Sequence, residues 1–267
     1  MMNRTERAKI AQETVDIFQR GYYLCDGKQV DCQSRFFAEF FTEKRLEEVS
    51  PASGSFAPEY TIVNESVVDT VAKFGGEHCG VLNFASAKNP GGGFLKGSLA
   101  QEEALAASSD LYNSQLQALE MYDINRSCRT ALYTHNMIYS QGITFIRNGK
   151  LEFLSSPVVA NVLTAPAVNA GAYYKNEGGN KATVLKIMEQ RIRYILNVFV
   201  SKGNRSIILG AYGCGVFGND VADVASIFHK LLVCEGMEKH FDHIIFAVYD
   251  SNGEQFNVFK RLFEKKQ

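Results

Sequence analysis

The sequence predicts an α/β protein, and three observations carry that expectation. From Thr61 onward, strand-like and helix-like segments alternate; at least four of the strand-like runs are apolar enough to be buried; and each of these ends near a loop containing Gly, Asn or Asp. Open α/β sheets bind ligands at such strand ends. At 267 residues and 46% hydrophobic content, the chain can bury a sizeable core, as one large domain or one domain with an appended cap. No internal repeat, low-complexity tract or Pro/Ser linker interrupts it, so one compact unit is expected.

The elements follow in order. Arg4 to Arg20 places Ile10, Thr14, Ile17 and Phe18 at helical spacing, and Gly21 stops the helix. Tyr22 to Cys32 reads as a hairpin around Asp26-Gly27. TIVNES and CGVLNFASA read as strands on either side of a helix, SVVDTVAKF; a glycine loop follows the second strand, and a long helix is expected from about Ala100. ALYTHNMIYS and GITFIRNGKLEFL form a hairpin-like pair, followed by the apolar strand VVANVLTAP. A helix over Lys181 to Phe199 carries Val184, Ile187, Ile192, Ile195 and Val198 on its apolar side. SIILGAY, VADVASIFHKLL and HIIFAVYD continue the alternation, and a helix near Glu254 to Phe263 ends it.

Charge and composition exclude several classes. With 28 basic and 29 acidic residues there is no basic field for nucleic acid, so an anionic ligand must be held locally. Six cysteines without a CxxC pair read as reduced thiols of a cytoplasmic protein. Charges interrupt the N-terminal segment, and the most apolar run, Pro157 to Ala172, is too short to span a bilayer, so neither a secretory signal nor a membrane anchor is expected. His240 and His243 have metal-like spacing but no third ligand nearby, and read as surface histidines.

The most informative segment is AKNPGGGFLKGSLAQEEA, residues 87–104. Gly92 and Gly97 bracket four residues, as in a phosphate-binding P-loop, but Ser98 follows Gly97 directly and Lys96 precedes it, which breaks the template. A second glycine loop, Gly213-Cys-Gly215-Val-Phe-Gly218, matches GxGxxG between a strand and a helix, with only about fifty residues after it. Small residues in both loops allow backbone N–H groups to approach a diphosphate, and a helix beginning near Asn219 would add its positive end. Together the two loops could hold one ligand; singly, each could be a tight strand-to-helix turn.

Gln101, Glu102 and Glu103 fall in the first turn of the expected helix, where the macrodipole favours carboxylates and Ser98 could cap. Adjacent helical residues point about 100° apart, so the two acids could reach different parts of one substrate. A general acid needs a raised pKa, whereas a helix N-terminus lowers it, so catalysis would require apolar cover from Phe94, Leu95, Phe217 or the ligand.

Three glycines, seven residues and then QEE resemble the signature of the poly(ADP-ribose) glycohydrolases. The wider string VLNFASAKNPGGGFLKG with AQEEALAASSDLY is similar to their bacterial-type branch, GAYGCGVFGND resembles that branch's second ligand loop, and the N-terminal helix and hairpin resemble its accessory region. The resemblance implies a macrodomain-like, three-layer α/β/α fold around a mixed sheet, with residues 1–60 as an accessory region and 61–267 as the catalytic core. It implies Glu103 and Glu102 as the catalytic pair, Glu103 exchanging the proton while Glu102 and Gln101 position the ligand. Gly91, Gly92 and Gly93 would line the diphosphate and terminal ribose, with Asn89 as a hydroxyl partner; Gly213, Gly215, Val216 and Phe217 would form the second loop, Phe217 packing on the ribose.

The activity implied is hydrolysis of the ribose–ribose O-glycosidic bond of poly(ADP-ribose) at chain ends, releasing ADP-ribose, without metal or cofactor. The implied partners are poly(ADP-ribose) or ADP-ribosylated macromolecules, with no membrane and no sequence-specific nucleic acid. Two other readings stay open: an ADP-ribose reader, which would not need the acids, and a hydrolase of the same fold that removes single ADP-ribose units from protein or nucleic acid.

Overall fold

The computed structural model describes residues 2–49 and 54–264. Helix α1 (Arg4–Arg20) opens on a capping box in which Asn3 accepts the Glu6 N–H and Glu6 accepts the Asn3 N–H, and it ends at Gly21, whose left-handed backbone returns its N–H to Ile17. The hairpin β1 (Tyr22–Cys25) and β2 (Lys28–Asp31) follows as expected, with Asp26 and Gly27 at φ 50° and 73° in its two-residue turn. Two elements that the sequence did not suggest come next, strand β3 (Phe37–Phe41) and helix α2 (Glu43–Glu48). The FFAEFF run has no clear period; its pairing with a strand a hundred residues later makes it β structure.

Strand β4 (Glu59–Val63), helix α3 (Val67–Phe74) and strand β5 (Cys79–Phe84) lie where the alternation places them. The long helix expected from Ala100 is instead three: α4 (Gln101–Ser108), α5 (Leu111–Gln115) and α6 (Glu120–Ser127). The break has a tertiary cause. Ser109 is extended and bridges to Phe145, and Asp110 donates its N–H to the Thr144 carbonyl while its Oδ1 accepts the Thr144 N–H at 2.8 Å, so the backbone is drawn into the sheet.

The expected hairpin also needs correction. Its first arm and the start of its second form one strand, β6 (Met137–Arg147), in which Gly142 is a bulge at φ 74° with its N–H on Asn161 Oδ1. The reversal lies further on, where Asn148 Oδ1 accepts the N–H groups of Lys150 and Glu152, and β7 (Phe153–Ala165) is the returning strand. Then come α7 (Ala170–Glu177), α8 (Lys181–Ser201), β8 (Ser206–Leu209), α9 (Val221–His229), β9 (His243–Ala247) and α10 (Glu254–Phe263).

The seven-stranded sheet has the order β3-β6-β7-β5-β8-β9-β4, parallel from β7 through β4 and antiparallel at β7/β6 and β6/β3. Successive strand residues face opposite cores: Leu82, Leu163, Ile207 and Ile244 pack with α8, α9 and α10, while Val81, Val162, Ile208 and Ile245 pack with α3, α4 and α5. The result is the expected three-layer α/β/α arrangement around a mixed sheet. The N-terminal helix packs on the glycine loop: Ala11 joins Phe94, Ala106 and Ala107, and Arg4 and Arg7 donate to the carbonyls of Lys96 and Gly97 at 2.8 and 2.9 Å.

Asp110 has a measurable signature. It is 1% exposed, and burial pushes its carboxyl from 3.8 up to about 6 against the hydrogen bond from the Thr144 N–H. The folded protein therefore holds this proton more tightly than the unfolded chain, and the group's contribution to stability falls as pH rises from about 4 to about 6. Asp110→Asn keeps an acceptor for Thr144 and removes the buried charge. It is expected to stabilise the protein by about 2 kcal/mol at pH 8, a Tm rise of about 4–8 °C, with little change near pH 4. An unchanged Tm at pH 8 would contradict this account.

Candidate functional site

Strands β5 and β8 are parallel neighbours, so the loops after Phe84 and Leu209 leave the same end of the sheet. A cavity of about 270 Å³ lies there, walled by residues 100–103 on one side and by Gly213, Gly215, Val216 and Phe217 on the other, with residues 84–86 and Ala167 completing it.

The glycine loop folds back on itself through Gly92 N–H to Asn89 O (3.0 Å) and Phe94 N–H to Gly91 O (3.2 Å). Gly92 is left-handed (φ 59°), and a Cβ there would stand 2.5 Å from Glu103 Oε1 and 3.2 Å from Glu102 Oε2. This glycine therefore makes room for both acids. The Gly93 N–H donates to Glu103 Oε1 at 2.9 Å.

Helix α4 presents its two acids to different surroundings. Ser98 does not cap it: the capping position is Ala100, and no side chain closes the helix start that borders the cavity. Glu102 faces the sheet and is 3% exposed; its Oε2 accepts the Ser86 N–H (2.7 Å), and its Oε1 accepts Gln115 Nε2 (2.9 Å) and Asn83 Nδ2 (3.2 Å). Burial pushes its carboxyl up to about 7 against these three hydrogen bonds, and the neighbouring Glu103 charge adds to the rise. Glu103 is half-buried and borders the cavity.

In the free protein, then, apolar cover falls on Glu102. Of the side chains expected to cover the acids, Phe94 is buried beneath α1 against Tyr112, Leu95 is largely solvent-facing, and Phe217 lines the cavity.

Gln101 borders the cavity, but both ends of its amide are engaged: Oε1 accepts the Phe84 N–H at 2.8 Å and Nε2 donates to Leu82 O at 2.7 Å, pinning α4 to the end of β5. Asn89 is exposed and Gly91 is buried, and neither these two nor Gly92 and Gly93, all expected to meet the ligand, line the cavity: the loop folds back against the acids and under α1 instead.

The second loop is closed by Gly218 N–H to Gly215 O (3.0 Å) and Asn219 N–H to Gly213 O (3.1 Å), with Val216 exposed at its tip. Among the described residues, the N–H groups of Gly215, Val216 and Phe217 have no acceptor, a short run of free donors suited to an anion. Helix α9 adds less than expected, because it begins at Val221 and Asp220 caps it with a carboxylate. Phe217 lies 6.1 Å, centroid to centroid, from Tyr133. The fully buried Arg191 holds that tyrosine's segment through the carbonyls of Leu132, Tyr133 and Pro166.

Sequence reading missed Asn83, Ser86, Gln115 and Thr164. Asn83 and Ser86 lie in the quoted VLNFASA string, but nothing local marks them as partners of an acid. Gln115 and Thr164 carry no signal, since only the fold brings Gln115 to Glu102 and Thr164 within reach of Asn83 and Gln115. His243 bonds Thr61 Oγ1, and among the described residues no cluster of three or more His, Cys, Asp or Glu side chains could hold a metal ion. No helix among them is long and apolar enough to cross a membrane.

The family model for the microbial-type PARG catalytic domain matches residues 11–148. Among solved structures, the chain is similar to a poly(ADP-ribose) glycohydrolase (PARG) from Thermomonospora curvata, with 33% identity, a TM-score of 0.89, and coverage of 97% of this chain and 100% of that one. A structure of the Thermomonospora enzyme bound to the inhibitor ADP-HPD matches with the same TM-score at 32% identity, covering 97% and 100% of the two chains. A poly(ADP-ribose) glycohydrolase from Deinococcus radiodurans in complex with ADP-ribose matches at 37% identity and a TM-score of 0.76, over 85% of this chain and 94% of that one. A comparison with curated proteins returns no match.

Proposed function

The chain belongs to the microbial-type poly(ADP-ribose) glycohydrolase family, and on that footing we propose that it is a glycosidase that hydrolyses the ribose–ribose O-glycosidic bond of poly(ADP-ribose) and releases ADP-ribose. The observation that carries this reading is the unequal pair of acids at a cavity walled by the start of α4 and by the second glycine loop. One carboxylate, Glu102, is buried and held by three N–H donors; the other, Glu103, is held by one and remains accessible.

Glycosidases commonly divide acid and base between two carboxylates. Here Glu103 takes both parts. With Oε1 engaged by the Gly93 N–H, Oε2 carries the proton to the leaving 2′-oxygen as the C–O bond breaks. The resulting carboxylate then takes a proton from the water that adds to the oxocarbenium-like carbon, which returns Glu103 to its acid form. Glu102 holds the sugar hydroxyls, its position set by Ser86, Asn83 and Gln115. The free N–H groups of residues 215–217 take the diphosphate, and Phe217 packs on the terminal ribose. Gln101 acts through the backbone, by fixing the start of α4 to β5.

The grip of Arg4 and Arg7 on the carbonyls after Phe94 supports cutting at chain ends, because α1 closes one flank of the glycine loop. Six free cysteines support a reducing, cytoplasmic setting. The test is to incubate the protein with labelled polymer beside mono-ADP-ribosylated protein and nucleic acid. Release of monomeric ADP-ribose from polymer is expected. Polymer bound but uncut would favour a reader, and release from the mono-modified substrates alone would favour a hydrolase of single units.

A further inference from the structure

The break between α4 and α5 turns α5 back toward the glycine loop, so that its last residue, Gln115, lies wholly buried between the loop and the acids. Its Oε1 accepts the Gly91 N–H at 2.7 Å, and its Nε2 donates to Glu102 Oε1 at 2.9 Å and to Thr164 Oγ1 at 3.3 Å. The Gly91 N–H can only donate, which decides which end of the amide faces the loop and leaves the NH₂ for the acid. Gly91 is itself constrained: its φ is 64°, and a Cβ there would stand 2.7 Å from the Phe94 ring.

We propose that Gln115 is a positioning residue for glycosidic cleavage, a single amide that ties the glycine loop to Glu102 and sets the spacing between the loop backbone and the acid that holds the sugar. This rests on the glycohydrolase reading above. A hydrocarbon of similar size at this position would leave a buried Gly91 N–H without an acceptor and remove one of the three donors to Glu102. The other titratable groups that act on Glu102 are Glu103 on α4 and Tyr122 on α6; β5 and β7 contribute only the uncharged Asn83 and Thr164.

Two variants test the proposal, with ADP-ribose release from polymer measured between pH 5 and 9, ADP-ribose binding by calorimetry, and Tm. Gln115→Leu is expected to lower kcat by about tenfold or more at every pH while ADP-ribose still binds. Gln115→Glu keeps the acceptor for Gly91 and, when protonated, offers an O–H to Glu102 in place of the amide N–H. It should therefore regain activity toward the acidic end and lose it as pH rises, through an alkaline limb additional to the one that the general acid Glu103 imposes on the unmodified protein.

Unchanged kcat in the Leu variant would overturn the proposal. So would a Glu variant whose pH profile parallels that of the unmodified protein, since a merely structural role would lower Tm and activity without a new limb. If the unmodified protein itself releases no ADP-ribose from polymer, the parent reading fails with the proposal, a result seen before any variant is made.

Discussion

Glu103→Gln releases ADP-ribose from polymer about a thousandfold more slowly than the unmodified protein, with ADP-ribose binding and Tm little changed: this is the largest effect expected of a single substitution. Removing a positioned acid or base costs on the order of 10²–10⁴ in rate, and in the proposed mechanism one group serves in both halves of the reaction. The substitution is close to isosteric, and the Gln oxygen still accepts the Gly93 N–H that Glu103 Oε1 accepts at 2.9 Å, so the loop keeps its anchor. Only the exchangeable proton is lost. Single-turnover release from end-labelled polymer, with calorimetric binding of ADP-ribose as the companion measurement, separates chemistry from binding. Near-normal release by this variant would remove Glu103 from the mechanism and direct attention to Glu102.

Gly92→Ala should be almost as damaging, for a steric reason. The new methyl would stand 2.5 Å from Glu103 Oε1 and 3.0 Å from its Cδ, and the backbone at φ 59° disfavours any side chain. The atoms in the way are the carboxylate ends of Glu103, held by one hydrogen bond, and Glu102, held by three, so the fold yields chiefly by moving Glu103. The backbone penalty is about 1–2 kcal/mol, a Tm loss of a few degrees. Catalysis suffers more, because displacement of a catalytic group by about 1 Å costs on the order of a hundredfold in rate. Gly76→Ala is the matched control: a Cβ there meets nothing within 4 Å, and neither activity nor Tm should change. A Gly92→Ala enzyme with normal kcat would show that the acids tolerate displacement and that the glycine serves only the turn.

Much of the fold was legible because its signals are local. The α1 start and stop lie in Asn3, Glu6 and Gly21; the hairpin turn lies in Asp26-Gly27; and the length of α8 follows from its apolar period. The errors share a different cause. Ser108-Ser109-Asp110 is a run of weak helix formers that can be tolerated within a helix, but Ser109 and Asp110 pair with Phe145 and Thr144, and those partners decide the break. Gly142 reads as a turn and is a bulge, because Asn161 on the neighbouring strand takes its N–H. Strand β3 has little pattern of its own and exists through β6.

The candidate site divides along the same line. Contiguous residues were enough for the α/β class, for the two glycine loops that follow buried strands, and for the family resemblance carried by GGG and QEE. Which acid would be buried was beyond them. Glu102 and Glu103 are the same residue type on the same helical turn, and their difference arises from groups distant in the chain: Asn83 and Ser86 around the end of β5, Gln115 from a helix turned back by the sheet, and the Gly93 N–H of the loop. Burial and hydrogen-bond supply belong to the assembled fold, so it is the packing of distant segments that decides which carboxylate is buried and held and which stays accessible.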